Sequence, residues 1–207
     1  MLIDIHIHTR QFSTDSSIDP EEAITKAKES GLDGMCFTDH NKGWDIEEIE
    51  RLRTKFDYPL FSGVEIDTVE GHILVFGVEI KVDGPIRIAK LREIVTQAGG
   101  FMIAAHPLKG YRVFNLADLN LAPEQAAQRP MMRHVDAIEI YNGKCNEREN
   151  SQAGEVAQIL NLPATGGSDA HSISEIGSCV TYFENTIKDI PGFLTALKSG
   201  RFKAVKR

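Results

Sequence analysis

Short apolar segments alternate with amphipathic segments along this chain, and that alternation restricts the possible folds more than any other feature. The run GMCF, residues 34–37, is typical of a short buried strand. The stretch DPEEAITKAKESG, residues 19–31, is typical of a helix, with Asp19 as N-cap, Pro20 at the first position and Gly31 as the stop. Such β–α alternation favours an α/β protein with a parallel sheet, either open or closed into a barrel.

The remaining elements follow the same pattern. Further helices are predicted over residues 45–56, 86–100, 150–163 and 189–200. Further strands are predicted over residues 2–8, 59–67, 72–80, 101–107, 135–143 and 178–184, and residues 164–171 are predicted as a strand that runs into a loop. The region 108–133 is long and mixed, and we interpret it as a helix plus an active-site loop. Because there is no internal repeat and no low-complexity linker, we expect a single domain over residues 1–207.

Composition excludes several classes of protein. The net charge of −7 argues against a general nucleic-acid binder, although a nucleotide ligand stays open. The basic C-terminal run KSGRFKAVKR is interpreted as a solvated end. The three cysteines form no CxxC pair, which indicates reduced thiols and a cytoplasmic location. No signal peptide and no apolar run of membrane-spanning length is expected, so a membrane partner is not predicted. The oligomeric state is left open.

The N-terminal run MLIDIHIHT places His6 and His8 at alternate positions of a strand. One interpretation is a half-exposed strand that turns polar side chains to water. The other is a metal site, because two imidazoles at i and i+2 on one face can bind the same ion. The opening segment alone leaves both interpretations open.

The ends of the other predicted strands carry similar side chains. Six of the seven histidines lie at a strand edge; His134 is the exception and is expected at the surface. The residues at these edges are His6, His8, Asp39, His40, Glu65, His72, His106, Glu139, Asn142, Asp169 and His171. In a parallel barrel these edges meet. Burial of so many ionisable groups without compensation costs roughly several kcal/mol per charge, a problem that bound cations remove.

As a set, the motifs HIHT, FTDH, GVE with GHILVFG, AAHP and GGSDAH resemble those of the polymerase and histidinol phosphatase (PHP) family of metal-dependent phosphoesterases. The resemblance spans nearly the whole chain. It implies a distorted (β/α)7 barrel of TIM-like type, with two or three divalent metal ions at the C-terminal edge of the strands. Ligands of nitrogen and oxygen without thiolate suit Zn, Mn or Fe(II).

The resemblance also implies three groups of metal ligands. The ligands of the first metal would be His6, His8, Glu65 and Asp169. Glu65 would bridge to a second metal, which His72 and His106 complete. The third metal would be held by His40, His171 and Asp15, the last of these in the loop after the first strand.

Other polar residues receive candidate roles in catalysis or substrate binding. Asp169, His171 or Asp39 would carry the proton during attack of a metal-bridging hydroxide on phosphorus. Asp39 could equally orient an imidazole or cap a helix. Lys109 and Arg112 follow His106 and could contact phosphate, with a solvated loop charge as the favoured interpretation for Lys109.

Two further polar side chains lie at the end of the 135–143 strand. Glu139 and Asn142 are candidates for contact with substrate, for support of the ligands, or for simple capping.

Three functions follow from these observations. The first is a phosphoesterase that hydrolyses a small phosphomonoester or short nucleotide with bound metal. The second is an amidohydrolase-like enzyme that cleaves a C–N or C–O bond. The third is a metal-binding module without catalysis. The paired TDH and DAH motifs favour the first function.

Overall fold

A computed structural model, which describes residues 1–109 and 121–207, shows one curved sheet of nine strands with helices packed against it. The strands are β1 (Leu2–Ile7), β2 (Gly34–Phe37), β3 (Leu60–Thr68), β4 (Gly71–Phe76), β5 (Phe101–Ala104), β6 (Ala137–Asn142), β7 (Ala164–Gly167), β8 (Cys179–Phe183) and β9 (Phe202–Lys206). The α-helices are α1 (Pro20–Glu29), α2 (Ile46–Phe56), α3 (Ile88–Ala98), α4 (Pro123–Ala127), α5 (Glu147–Leu160) and α6 (Ile190–Ser199). Short 3-10 helices cover Pro130–Arg133 and Ile173–Glu175.

The predicted α/β class with a TIM-like barrel is confirmed, but the sheet is mixed rather than parallel. The strand order is β7-β6-β5-β4-β3-β2-β1-β8-β9 over the described residues, so the strand count is nine instead of seven. Strand β4 runs antiparallel to both neighbours, and β8 runs antiparallel to β1. Only Val69 and Glu70 separate β3 from β4, and a connection this short permits an antiparallel pair alone.

The basic C-terminal run is part of the sheet, which corrects its interpretation as a solvated end. Residues 202–206 form β9 and pair antiparallel with β8, with Val205 opposite Val180. The side chains of Lys203 and Lys206 are exposed, so only the charged groups of this segment are solvated.

The sheet curves until the end of β7 meets the end of β1. The amide of Asp169 donates to the His6 carbonyl at 2.8 Å, and the amide of His8 donates to the Ala170 carbonyl at 3.0 Å. Gly167 allows this approach, because a Cβ atom there would lie 2.4 Å from the Cβ of His6. Two segments that are distant in sequence therefore share one rim.

A buried carboxylate also stabilises the contact between β1 and the segments after β7. Asp4 is fully buried in β1, where its Oδ1 accepts from the Ser168 amide at 3.0 Å and its Oδ2 from the Gly177 amide at 2.8 Å. Burial raises the pKa of Asp4 to about 6, although these hydrogen bonds oppose the rise. Asp4 thus links β1 to the segments that follow β7.

The helices follow their sequence signals closely, with differences at their ends. In α1, Asp19 caps the amides of Glu21 and Glu22 as predicted. In α2, Ile49 and Leu52 are buried, whereas Ile46, at the first position of the helix, is 60% exposed. Helix α5 begins at Glu147, earlier than predicted, because Asn146 and Glu149 form a reciprocal capping box.

Candidate metal centre

The strand ends converge on one rim of the barrel, and the side chains predicted as ligands meet there. His6 lies on β1 and His8 directly after it, and both side chains are fully buried, so the interpretation as a half-exposed strand is wrong. Glu65 lies on β3 and is also buried. Asp169 and His171 follow β7. The rim therefore gathers imidazoles and carboxylates from segments at both ends of the chain.

The first predicted ligand group is the most compact. The Nε2 atoms of His6 and His8 are 3.1 Å apart. Oε2 of Glu65 lies 3.5 Å from Nε2 of His6 and 3.2 Å from Nε2 of His8. Oδ1 of Asp169 lies 3.6 and 3.3 Å from the same two atoms. All four predicted ligands of the first metal thus direct donor atoms at one point.

The structure also brings together the second predicted group, in which both histidines lie near Glu65. Nε2 of His106 lies 2.9 Å from Oε1 of Glu65, and these two residues share a potential metal-binding group with His6. His72 lies at the edge of this group, with Nδ1 3.2 Å from Oε1 of Glu65 and its side chain 41% exposed. We therefore place His72 at the edge of the second ligand group and not at its centre.

The three side chains of the third predicted group also lie close together. Oδ2 of Asp15 lies 3.5 Å from Nε2 of His40 and 3.3 Å from Nε2 of His171. The His8 ring lies between these two imidazoles, with ring centroids 4.4 and 4.3 Å away. Ligand atoms of His8, His40 and His171 all lie within 4.8 Å of one another. The loop after β1 thus supplies a carboxylate to a three-histidine group.

Each of three imidazoles has its Nδ1 turned away from the cluster to a fixed acceptor. Nδ1 of His6 is 2.9 Å from Oε1 of Glu139, and Nδ1 of His171 is 2.8 Å from the Asp169 carbonyl. Nδ1 of His8 is 3.2 Å from Oγ of Ser13. These acceptors assign the ring proton to Nδ1, which leaves the Nε2 lone pair directed at the cluster. The donor set is therefore prepared to bind cations, and its chemistry fits divalent metal ions.

The pKa shifts of these side chains also agree with a site for cations. Burial alone would lower the pKa of His6, but Glu139, Asp169 and Glu65 together raise it well above its ordinary value. Burial would likewise raise the pKa of Asp169, yet the charge of His6 and the hydrogen bond from His8 hold it far below the usual range. In the absence of metal, positive charge is thus favoured on His6 and negative charge on Asp169. Bound cations would displace the extra proton on His6 and compensate the carboxylates.

Two predicted ligands adopt a backbone conformation that is rare for residues with side chains. Asp169 has φ 54° and His106 has φ 29°, both on the left-handed side of the Ramachandran plot. Such conformations cost on the order of 1–3 kcal/mol and accumulate at functional sites. The fold therefore tolerates strain at the rim to direct these two side chains inward.

The role of Asp39 differs from the proton transfer considered from the sequence. Its carboxylate is fully buried and accepts four hydrogen bonds, from the Thr9 amide, Thr9 Oγ1, Ser13 Oγ and Trp44 Nε1. Because both oxygens of the Asp39 carboxylate accept hydrogen bonds from the protein, neither is available to a substrate. Ser13 donates to Asp39 and lies beside Nδ1 of His8, so Asp39 orients His8 through Ser13.

We expect Ser13→Ala to lower the metal affinity of the protein by about 10-fold or more, because the acceptor that fixes the His8 tautomer is removed. Zn²⁺ titration of the metal-free protein would measure this change. Ser174→Ala, at an exposed serine near the same rim, is the matched control. Equal affinity of the Ser13 variant and the control would contradict the orienting role.

Glu139 and Asn142 lie behind the ligands instead of lining a substrate surface. Both are buried. Oε2 of Glu139 accepts from the His106 amide at 2.8 Å and from Nδ2 of Asn142 at 2.9 Å, while its Oε1 faces His6. Of the roles considered from the sequence, the geometry favours support of the ligands.

Lys109 is not a solvated loop charge, which corrects the favoured interpretation. Its Nζ lies 2.7 Å from Oδ2 of Asp169, and the side chain is only about one-third exposed, at 35%. Burial would lower the pKa of Lys109, but Asp169 raises it above its ordinary value, so the ammonium stays charged. Arg112, the other predicted phosphate contact, lies outside the described residues.

A cleft of about 350 Å³ opens beside the second ligand group. Its lining residues include Gly71, His72, His106, Pro107, Lys109, Arg129 and Met131. Arg129 donates to the Pro107 and Glu70 carbonyls and so joins two loops of the cleft wall. The cleft brings polar, cationic and apolar surface next to the cluster.

Sequence reasoning missed Asp4, Thr9, Ser13, Trp44 and Asp67. The sequence alone gives no signal for Ser13 or Trp44, since their partner Asp39 is reached only in the fold. A signal did exist for Asp67, because it stands two residues after Glu65 on the same strand and therefore faces the same side. His134, predicted to lie apart, ends the 3-10 helix at Pro130–Arg133, where its carbonyl accepts from Arg92.

Comparisons with known proteins agree with the observed fold. Residues 4–117 match the family model described as PHP domain, and residues 147–202 match the one described as PHP-associated. The chain is 26% identical to the uncharacterized protein MJ0417 of Methanocaldococcus jannaschii over 186 residues, which are 88% of this chain and 70% of that protein.

Two solved structures show the same fold. A candidate metal-dependent phosphoesterase of Bifidobacterium adolescentis has a TM-score of 0.68 at 18% identity, covering 95% of each chain. An amidohydrolase of Chromobacterium violaceum has a TM-score of 0.67 at 15% identity, covering 99% of this chain and 97% of that one.

In the described parts of the chain, no helix has the length and apolar character needed to span a bilayer.

Proposed function

The chain belongs to the PHP family and is a metal-dependent hydrolase, and we propose that its substrates are phosphate esters, specifically small phosphomonoesters or short nucleotides. The observation that carries this proposal is the convergence of imidazoles and carboxylates from seven strand ends on one rim beside an open cleft. Since the three carboxylates Asp15, Glu65 and Asp169 carry less charge than three divalent ions, a filled centre is cationic and attracts a phosphate dianion.

We infer that two or three divalent ions, Zn, Mn or Fe(II), are held by the three groups described above. The ligands would be His6, His8, Glu65 and Asp169 for the first, Glu65 and His106 with His72 at the rim for the second, and Asp15, His40 and His171 for the third. Bound there, such ions would supply Lewis acidity toward phosphate oxygens and promote the ionisation of water near neutral pH.

The ligands divide between the two matched segments. His6 through His106 lie within residues 4–117, whereas Asp169 and His171 lie within residues 147–202. Because the first ligand group draws on both segments, neither can form the centre alone. This division supports one functional domain over residues 1–207.

Lys109 would bind the phosphate group. Its charged Nζ lies between the cleft and Oδ2 of Asp169, at 2.7 Å from that oxygen. A cation at this place stabilises the charge of the ester and of the transition state. Asp169 or His171 would move the proton to the leaving oxygen, since both lie at the rim, whereas Asp39 is fully engaged behind it.

The cleft would receive the alcohol portion of the ester. Its volume of about 350 Å³ lies at the lower end of the range for small-molecule sites, which favours a compact leaving group. Met131 and Pro107 offer apolar contact, while Lys109 and Arg129 add positive charge to the wall.

A substrate panel tests the proposal. The purified protein, loaded in turn with Zn²⁺, Mn²⁺ and Fe²⁺, would be assayed on phosphomonoesters, nucleoside monophosphates, a phosphodiester, an amide and a lactone. We expect the highest kcat/KM on a phosphomonoester or a short nucleotide. A higher kcat/KM on the amide or the lactone than on any phosphate ester would contradict the proposal and favour the amidohydrolase-like function. Stoichiometric metal without turnover of any ester would instead indicate a binding module.

A further inference from the structure

Two buried polar atoms beside the ligand cluster lack a hydrogen-bond partner and face each other. Within the described residues, only Nδ1 of His40, Oδ1 of Asp67 and Oγ1 of Thr165 are buried side-chain atoms without such a partner. The first two are 3.8 Å apart; Oδ1 of Asp67 also lies 3.5 Å from Nε2 of His72, but that imidazole is 41% exposed and can hydrogen-bond to water instead. A buried donor or acceptor left unpaired costs about 1–3 kcal/mol, so two of them side by side at a functional rim require an explanation.

The carboxylate of Asp67 is fixed in this direction by its neighbour Asn41. Nδ2 of Asn41 donates to Oδ2 of Asp67 at 2.8 Å, and the Asp67 amide donates to Oδ1 of Asn41 at 2.9 Å. Asn41 adopts φ 56°, a left-handed conformation that asparagine tolerates. Because Asn41 directly follows His40, this reciprocal pair ties the loop that carries His40 to strand β3.

The opposite nitrogen of His40 faces the third ligand group, 3.5 Å from Oδ2 of Asp15. His6, His8 and His171 each direct Nδ1 to an acceptor and Nε2 to the cluster, and His40 would complete this pattern with Nδ1 toward Asp67. Oε2 of Glu65 is nearer to Nδ1 of His40, at 3.2 Å, but without hydrogen-bond geometry. Glu65 is moreover already in contact with His6, His8 and His106.

We propose that Asp67 is a positioning residue of the metal centre, which accepts a hydrogen bond from Nδ1 of His40 and thereby presents Nε2 to the third ion. A shift of less than an ångström closes the distance of 3.8 Å to an ordinary hydrogen bond. The inference rests on the proposed function, because it presumes that the third group binds metal. A carboxylate behind a ligating imidazole fixes the tautomer and raises the basicity of the ligand.

The first test reads the proton on His40 directly in the metal-free protein. Long-range ¹H–¹⁵N spectra of the imidazoles, assigned with His40→Gln, should show His40 protonated at Nδ1 in the unaltered chain. Asp67→Asn should shift this signal toward the Nε2-protonated form, and Asn41→Ala should do so in part, since it frees the Asp67 carboxylate without removing it. Asp83→Asn, at an exposed loop acid, should change nothing.

The second test is Zn²⁺ titration with analysis of metal content. Asp67→Asn should lower the Zn²⁺ affinity of one class of sites by about 10-fold or more and leave the affinity of the other sites unchanged. Unchanged His40 signals in Asp67→Asn would overturn the inference, as would an equal loss of affinity at every site. If the unaltered protein bound no Zn²⁺, the proposed function would fail, while the imidazole spectra would still decide the role of Asp67.

Discussion

Asp169→Ala is expected to lower kcat/KM on a phosphomonoester by on the order of 10³-fold, because metal-based stabilisation of the transition state contributes several kcal/mol. Asp169 contacts three separate parts of the rim. Its Oδ1 faces His6 and His8, its Oδ2 pairs with Lys109, and its carbonyl fixes His171. The single substitution therefore removes a ligand and releases the cation assigned to phosphate.

The measurement combines steady-state kinetics with metal analysis of the purified variant. We expect the Asp169 variant to lose at least one equivalent of metal relative to the unaltered protein. Asp83→Ala is the matched control, since Asp83 is 87% exposed and pairs only with Lys81 among the described contacts. Full activity and full metal content in Asp169→Ala would refute the assignment of the metal centre.

Removal of metal is the second change with a large expected effect. Dialysis against EDTA should reduce phosphoesterase activity at least about 100-fold, since the side chains alone offer no Lewis acid and no activated nucleophile. Separate addition of Zn²⁺, Mn²⁺ or Fe²⁺ should restore activity, and the best of the three would identify the preferred ion. A sample dialysed without chelator is the control.

Metal should also stabilise the fold, which gives a readout that does not depend on substrate. A ligand present at 100 times its Kd stabilises the native state by about 2.7 kcal/mol, so the Tm should rise on addition of metal. The rise should be smaller for Asp169→Ala than for the Asp83 control. Undiminished activity of a dialysed sample that contains no metal would contradict the proposed chemistry.

Sequence reasoning located the ligands well because their signals are local. His6 and His8 alternate within a strand, His106 directly follows an apolar run, and His40 and His171 come within a few residues of a predicted strand. In a barrel, the strand ends meet at one edge irrespective of the details of packing. The structure places all of these residues on one rim, whereas their roles as metal ligands stay predictions until metal is measured.

The same reasoning failed for residues whose roles depend on distant partners. Asp39 was considered for proton transfer, but its carboxylate is saturated by Thr9 and Ser13 from the loop after β1, together with Trp44 from its own loop. Lys109 was interpreted as a solvated charge, yet it reaches Asp169 across the rim. In each case the deciding contact joins segments that no local pattern relates.

The sequence by itself determined the α/β class, the positions of most helices and strands, and which residues stand at strand ends. Periodicity, capping and turn residues act over a few positions, so they can be read without the fold. Only the tertiary structure decided the direction of β8 and β9, the closure of β7 on β1, and the division of the rim into ligands and supporting residues. Those features depend on burial and on hydrogen bonds between residues far apart in the chain, which exist only once the barrel has closed.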